Sequence, residues 1–165
     1  MAHGRAQAHL RRQCDAGATR RYPREAERHA ARAPLQTELS IIERMEFTDY
    51  FLLVADIVRF ARERGIPTVG RGSGASSLVS YVLGITNVDP IRYGLCFERF
   101  LHPARRDCPD LDIDLCWWRR DEVIRHVYDI YGHDRVAMIS THATMGARSA
   151  FRETAKALGV PNNRV

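Results

Sequence analysis

One short stretch constrains this chain more than any other, because it alternates acidic and aliphatic residues. Residues 108–115 read Cys-Pro-Asp-Leu-Asp-Ile-Asp-Leu. Successive side chains of a β-strand point to opposite faces, so a strand here places Asp110, Asp112 and Asp114 on one face. The aliphatic residues then form the opposite face, which can pack against helices. The alternation alone fits two structures: a solvated edge strand and a strand that binds a cation.

The acidic face favours the second structure. Side chains two residues apart on a strand lie roughly 7 Å from each other, so three carboxylates in a row repel one another and disfavour folding unless a cation lies among them. Carboxylate oxygens are the ligands that hard divalent ions such as Mg²⁺ prefer. The stretch therefore predicts the metal-binding strand of an enzyme.

Length and composition indicate a folded protein outside the membrane. The chain has 165 residues, of which 45% are hydrophobic, which is enough to bury the core of one domain. No stretch approaches the roughly 18 apolar residues of a membrane span, and the N-terminus lacks the apolar centre of a signal peptide. We therefore expect a cytoplasmic protein with no membrane partner.

The net charge of +5 lies in the first part of the chain. Residues 1–33 contain eight arginines and three acidic residues, so the remainder is neutral. This segment shows no apolar periodicity, and we expect a disordered basic leader or a non-native segment. Residues 35–165 are expected to form the folded domain. Any binding of nucleic acid by that domain must depend on local patches, because its net charge gives no attraction.

A glycine-rich loop precedes the acidic stretch. Residues 70–77 read Gly-Arg-Gly-Ser-Gly-Ala-Ser-Ser and lie between a short predicted strand and a helix predicted over 75–83. Glycines let backbone amides approach an anion, a helix N-terminus adds free N–H groups, and Arg71 and Ser73 add polar side chains. The loop therefore predicts a triphosphate site. It lacks the lysine of a Walker loop, but it also fits a loose dinucleotide fingerprint with Asp89 as the ribose-binding acid, and a turn without a ligand.

The remaining pattern predicts helices around a sheet. Strand and helix segments alternate, which favours an α/β (α+β) fold with a mixed sheet covered by helices. The apolar spacing predicts helices over 35–45, 48–64, 119–131 and 147–158, a helical turn over 97–101 and a strand over 135–140.

Four stretches carry a likeness to a known family. They read FTDYFLLVAD at 47–56, VGRGSGA at 69–75, FERFL at 97–101 and PDLDID at 109–114. Through these stretches, the chain from about residue 35 onward resembles the bacterial DNA polymerase III alpha subunits, the C family of DNA polymerases. The resemblance implies the first part of a palm domain, of the same broad nucleotidyltransferase type as polymerase beta.

The resemblance also implies roles for individual residues. Gly72 and Ser73 match positions that contact the triphosphate. Asp112 and Asp114 match the ligands of two Mg²⁺ ions, for which Mn²⁺ can substitute, and Asp110 matches a supporting acid next to them.

Two arginines fall within the matching stretches. The resemblance places Arg71 and Arg99 where they can contact phosphate of the nucleotide. The alternative for each is a buried arginine that pairs with a local acid such as Glu98.

The function implied is template-directed nucleotidyl transfer by a DNA-directed DNA polymerase, with primer–template DNA and deoxynucleoside triphosphates as substrates, in the cytoplasm at the nucleoid. The family's third catalytic aspartate, fingers, thumb and clamp-binding tail fall outside this chain. We therefore expect a fragment that is inactive alone, and contacts with the sliding clamp and other replisome proteins through the other parts. Residues 148–150 resemble the error-prone branch.

Two other functions remain open on the sequence. One is a non-catalytic module that binds nucleotide or nucleic acid. The other is an unrelated metal-dependent Asp-x-Asp transferase, such as a sugar transferase. Trp117 and Trp118, which follow the acidic stretch, either stack on a base or pack in the core. Arg119 and Arg120 either contact DNA phosphate or begin a solvated helix.

Overall fold

The structure is a computed structural model that describes residues 2–104, 108–161 and 163. The chain forms two compact units, Met1–Ile130 and Tyr131–Val165. The helices are α1 (Ala2–Arg21), α2 (Glu25–Arg44), α3 (Thr48–Glu63), α4 (Leu78–Leu83), α5 (Arg120–Tyr131) and α6 (Ala147–Ala157). The strands are β1 (Thr68–Arg71) and β2 (Asp112–Leu115), and two 3₁₀ turns cover Gly72–Ser76 and Phe97–Arg99.

This architecture confirms the α/β class. Helices dominate, and the strands of the described residues form a two-stranded antiparallel sheet in place of the larger mixed sheet that we expected. None of the described helices is both long and apolar enough to cross a membrane.

The expectation of a disordered leader over 1–33 is wrong for the described residues. α1 and most of α2 occupy this segment, and α2 continues through Pro34 without interruption. Leu10 and Cys14 of α1 are fully buried. Arg11 makes a two-pronged ion pair with Glu43 of α2, with both N–O distances 2.7 Å. These residues therefore belong to the packed body of the first unit.

The close packing of α1 on α4 explains why the sequence pattern did not predict this helix. A Cβ added at Gly17 would lie 2.1 Å from the carbonyl oxygen of Val82, so the two backbones nearly touch there. A helix that packs through glycine and cysteine needs few large apolar residues. Its apolar periodicity is correspondingly weak.

The core of the first unit supports the acidic strand from behind. Phe51 of α3 and Phe100 meet edge to face, with ring centroids 6.1 Å apart. Leu111 and Ile113 pack against this core, whereas Leu115 packs against a smaller cluster that includes Ile66 and Val123. The predicted aliphatic face of the 108–115 stretch is thereby confirmed.

The second unit is small. Its helix α6 confirms the helix predicted over 147–158. The strand predicted over 135–140 is wrong, because no described strand pairs with these residues. Met138 and Ile139 are exposed, so the apolar side chains that produced the strand pattern do not pack in a core within this unit.

Candidate functional site

Pairing of the two strands brings the glycine loop and the acidic stretch together. The antiparallel register sets Arg71 opposite Asp112 and Val69 opposite Asp114. The first two residues of the glycine loop, Gly70 and Arg71, belong to β1, so the loop starts beside the carboxylates. A Cβ added at Gly72 would lie 3.2 Å from Oδ2 of Asp112. Two motifs that are distant in sequence therefore form one site.

Asp112 and Asp114 share a face of β2, as predicted. Nε of Arg71 donates a hydrogen bond to Oδ1 of Asp114 at 3.0 Å, and Nη1 lies 3.7 Å from Oδ2 of Asp112. All three side chains are exposed to solvent, at 60% for Arg71, 42% for Asp112 and 59% for Asp114. The hydrogen bond to Asp114, then the fields of Asp114 and Asp112, raise the pKa of Arg71. The site therefore already attracts a positive charge.

The chemistry of the two carboxylates fits Mg²⁺. This ion commonly takes one or two carboxylates from the protein and completes its shell with water and phosphate oxygens. Within the described part of the chain, no three His, Cys, Asp or Glu side chains group to hold a metal ion. Asp110 is exposed and precedes β2 by two residues. A metal here would accordingly take its protein ligands from Asp112 and Asp114.

The glycines of the loop divide into two groups. A Cβ at Gly70 would lie 2.3 Å from the carbonyl oxygen of Ile85, and one at Gly74 would lie 2.3 Å from Cδ2 of Leu111. Close packing accounts for both of these glycines. Gly72 differs, because it has a φ of +72° and faces the carboxylate of Asp112. Gly72 and Ser73 are both exposed, so both are open to a ligand.

The N-terminus of α4 is already occupied. Glu38 of α2 is only 5% exposed, and it accepts hydrogen bonds from Oγ of Ser77 at 2.9 Å and from the backbone N–H groups of Leu78 at 2.9 Å and Val79 at 3.0 Å. Oγ of Ser77 accepts a further bond from the N–H of Ser80. The prediction that this helix offers free N–H groups to a triphosphate is wrong.

Glu38 is a residue that the sequence did not single out. Burial raises the pKa of its carboxyl group to about 7, although the three hydrogen bonds act in the opposite direction. In the sequence it resembles any acidic residue on the polar side of a helix. Its role depends on contact with a segment about forty residues later, which single-sequence periodicity does not report.

Asp89, the ribose-binding acid of the dinucleotide interpretation, is engaged in other contacts. Oδ1 of Asp89 accepts hydrogen bonds from the Tyr22 hydroxyl at 2.8 Å and from the backbone N–H groups of Ile91 and Arg92. This carboxylate fastens a turn to the end of α1. Moreover, β1 pairs antiparallel with β2, whereas the sheet of a dinucleotide fold is mostly parallel.

The two predicted phosphate-binding arginines lie in different surroundings. Arg71 is exposed and pairs with Asp112 and Asp114, so the alternative of a buried pair with Glu98 is wrong for it. Arg99 is exposed on the turn Phe97–Arg99, and the next residue, Phe100, approaches the glycine loop at Gly74. Glu98 itself accepts a hydrogen bond from Sγ of Cys96. The structure thus brings Arg71 into the site and leaves Arg99 on a neighbouring turn.

Comparison with known proteins identifies the family. The family model of the bacterial DNA polymerase III alpha NTPase domain matches residues 8–165. The chain belongs to the bacterial DNA polymerase III alpha family. The match begins within α1, so it includes most of the segment that the sequence alone left outside the domain.

Relatives of two kinds match the chain. It is 52% identical over 159 residues to the DNA polymerase III subunit alpha of Halalkalibacterium halodurans, which covers 96% of this chain and 14% of the relative. It is 55% identical over 143 residues to the error-prone DNA polymerase of Symbiobacterium thermophilum, covering 87% and 13%. It is 46% identical over 145 residues to the DNA polymerase III subunit alpha of Escherichia coli, covering 85% and 12%. The chain therefore spans about one-seventh or less of the length of these relatives.

Proposed function

We propose that this chain supplies two of the metal-binding carboxylates and the triphosphate-binding loop of a polymerase palm that carries out template-directed nucleotidyl transfer. The observation that carries the proposal is the pairing of β1 with β2. That pairing places Gly72 against Asp112 and sets Asp114 on the same open face. A loop that accepts an anion beside two carboxylates that accept cations is the arrangement that a metal–triphosphate complex requires.

Asp112 and Asp114 are the proposed ligands of two Mg²⁺ ions, with Mn²⁺ as a substitute. When bound, such ions activate the attacking hydroxyl of a primer and stabilise the leaving pyrophosphate. Both carboxylates are exposed and lie on a strand whose opposite face is packed, so they are held in place yet open to solvent. Asp110 adds negative charge just before the strand and supports the site.

The proposed triphosphate contacts come from the loop and from Arg71. Gly72 lets the backbone approach the ligand closely, and Ser73 presents an exposed hydroxyl beside it. Arg71 carries a long, exposed side chain that pairs with carboxylates through a guanidinium suited equally to phosphate. Arg99 contributes from the adjacent turn, as a second phosphate contact.

The complete polymerase reaction requires parts of a longer protein in addition to this chain. We infer that the chain acts within a cytoplasmic polymerase on primer–template DNA and deoxynucleoside triphosphates. Sliding-clamp and replisome contacts are assigned to other parts of such a polymerase. We expect no polymerase activity from these 165 residues alone, because they cover about one-seventh or less of the length of the relatives that they match.

A nucleotide-binding measurement tests this proposal. Fluorescence anisotropy of a dye-labelled deoxynucleoside triphosphate is followed against protein concentration in Mg²⁺ and in EDTA. We expect saturable binding in Mg²⁺ that is lost in EDTA, in Asp112→Asn with Asp114→Asn, and in Gly72→Ala, whose added methyl group would be strained and would crowd Asp112. Gly146→Ala, at a glycine with open space around it, is the matched control. Equal binding by the aspartate variant would contradict the proposal.

A further inference from the structure

Trp117 and Trp118 form an exposed aromatic pair. Their ring centroids lie 4.0 Å apart with planes inclined by 31°, so the two indoles contact each other. Trp117 is 70% exposed and Trp118 is 75% exposed. The structure therefore excludes the core-packing interpretation that the sequence left open. Large exposed aromatic surfaces of this kind are unfavourable in water and commonly mark a binding site.

The turn that carries the indoles is fixed at both ends. On one side, the backbone N–H of Cys116 donates to the carbonyl of Pro67 at 3.1 Å, which extends the pairing of β2 with the segment before β1. On the other side, Arg119 binds both carboxylate oxygens of Glu122, at 2.7 and 2.9 Å, and donates to the carbonyl of Arg64 at 2.9 Å. The indoles are thus presented on an anchored turn.

This turn lies close to the proposed metal site. Trp117 follows Asp114 by three residues, which limits their Cα–Cα distance to about 11 Å even in a fully extended chain. At this short separation, one nucleic-acid strand can reach both the proposed metal site and the indoles. We therefore expect the aromatic pair to contact nucleic acid, as the proposed metal site does.

An exposed arginine beside the indoles provides a positive charge for the backbone of a nucleic acid. Arg119 is engaged by Glu122, whereas Arg120 is 64% exposed and forms an ion pair at 3.5 Å with Asp121, which is 82% exposed. Such a loose surface pair exchanges readily with a phosphate. Aromatic rings beside arginines are typical of proteins that bind single-stranded nucleic acids.

We propose that Trp117 and Trp118 form a stacking platform for unpaired bases of a single-stranded nucleic acid, with Arg120 contacting its backbone. The inference rests on the proposed function for its ligand class, but it concerns a separate set of residues. Every base has a face that can stack on an indole, so the platform tolerates different sequences.

A binding experiment without metal isolates this platform. A dye-labelled oligothymidylate of 12 nucleotides is titrated with the full chain in EDTA, and anisotropy of the dye and quenching of tryptophan fluorescence are followed. Each stacked base lost on alanine substitution weakens binding by at least about fivefold, so we expect a loss of tenfold or more for Trp117→Ala with Trp118→Ala. Replacement of both by phenylalanine keeps an aromatic face and restores part of the affinity.

Two controls separate stacking from other effects. Tyr93→Ala removes another exposed aromatic ring, one that has its own arginine neighbour, and should leave binding unchanged. Because the titration is carried out in EDTA, it does not depend on the proposed metal site, so failure of that site is distinguished from failure of the platform. Circular dichroism verifies that every variant is folded.

Three outcomes would overturn the proposal: no binding of the oligonucleotide by the wild-type chain, equal binding by the double alanine variant, or loss of affinity that phenylalanine does not restore. Sedimentation of the chain alone provides one more test. If the indoles hold two copies together, and their removal yields monomers without changing oligonucleotide affinity, the occupant is a second copy and the proposal is wrong.

Discussion

The carboxylate of Glu38 and those of Asp112 and Asp114 are the same chemical group in opposite surroundings. Glu38 is buried, and three donors from one helix start occupy its oxygens. The two aspartates are exposed and share one flexible arginine. A carboxylate whose partners are fixed backbone groups stabilises the fold, whereas one whose partner is an exposed side chain is free to exchange it for a ligand. Surroundings, and not residue type, separate the two roles.

Removal of Glu38 should produce the largest loss of stability. Glu38→Ala leaves Oγ of Ser77 and the N–H groups of Leu78 and Val79 without their acceptor inside the protein. Buried polar groups without partners cost about 1–3 kcal/mol each, so we expect a loss on the order of 3 kcal/mol or more. Urea unfolding measures this change. Glu27→Ala, at a half-exposed acid of the same helix, is the matched control and should change stability little.

Titration of Glu38 should make the free energy of unfolding depend on pH. Its pKa rises from an ordinary value of 4.5 to about 7 in the folded chain, so the folded state binds more protons than the unfolded state between these values. The associated stability is fully present below pH 4.5 and is lost as pH rises through 7. Relative to Glu38→Gln, the wild-type chain should therefore lose roughly 3 kcal/mol across this range.

The measurement is the free energy of unfolding of both proteins at half-unit steps of pH. The difference between them, and not the wild-type curve alone, isolates Glu38 from the other titrating groups. A difference that rises with pH would contradict the assignment, because it would mean that the ionised carboxylate is the form that the fold prefers.

Substitution of the exposed aspartates should have the reverse effect to substitution of Glu38: a small change in stability and a large loss of ligand binding. Asp112→Asn with Asp114→Asn removes ion pairs to Arg71 that solvent already weakens, so we expect a change in unfolding free energy within about 1 kcal/mol. The same substitution should abolish the metal-dependent binding of nucleotide. Thermal unfolding measured beside nucleotide binding tests both halves. A large loss of stability would show that these carboxylates are structural, like Glu38.

Arg71 offers the finest test of the comparison. Arg71→Ala should leave stability almost unchanged, because the side chain is exposed. It should tighten the binding of Mn²⁺ several-fold, since the guanidinium competes for the same carboxylate oxygens, and weaken the binding of triphosphate. Isothermal titration with each ligand gives both affinities. Arg92→Ala, at an exposed arginine on another turn, is the control. If Arg71→Ala weakened the binding of Mn²⁺ as well as the binding of triphosphate, the proposed competition would be wrong.

The sequence predicted the parts of the site that depend on local pattern. Alternation in 108–115 gave the correct faces of β2, and the glycine loop was placed correctly between a strand and a helix. Antiparallel pairing then joined the two motifs, which no local pattern specifies. The assignment of individual residues to metal and phosphate came from the family resemblance and stays a prediction.

The failures have a common physical origin. α1 packs through a glycine, so its face carried little apolar signal, and Glu38 acts on a segment far along the chain. Gly70 and Gly74 resembled ligand-binding glycines but serve close packing. The 135–140 segment has the composition of a strand without a described partner strand. In each case a tertiary contact, present or missing, decided the outcome.

Binding of Mn²⁺ tests the central claim most directly. Electron paramagnetic resonance measures the free aquo ion, so titration of the chain gives the number of bound ions and their affinity without any nucleotide. We predict saturable binding by the wild-type chain that strengthens when a deoxynucleoside triphosphate is added and disappears in Asp112→Asn with Asp114→Asn. Saturable binding that is identical in the folded aspartate variant, or no binding by the folded wild-type chain with triphosphate present, would contradict the assignment of this strand as a metal site.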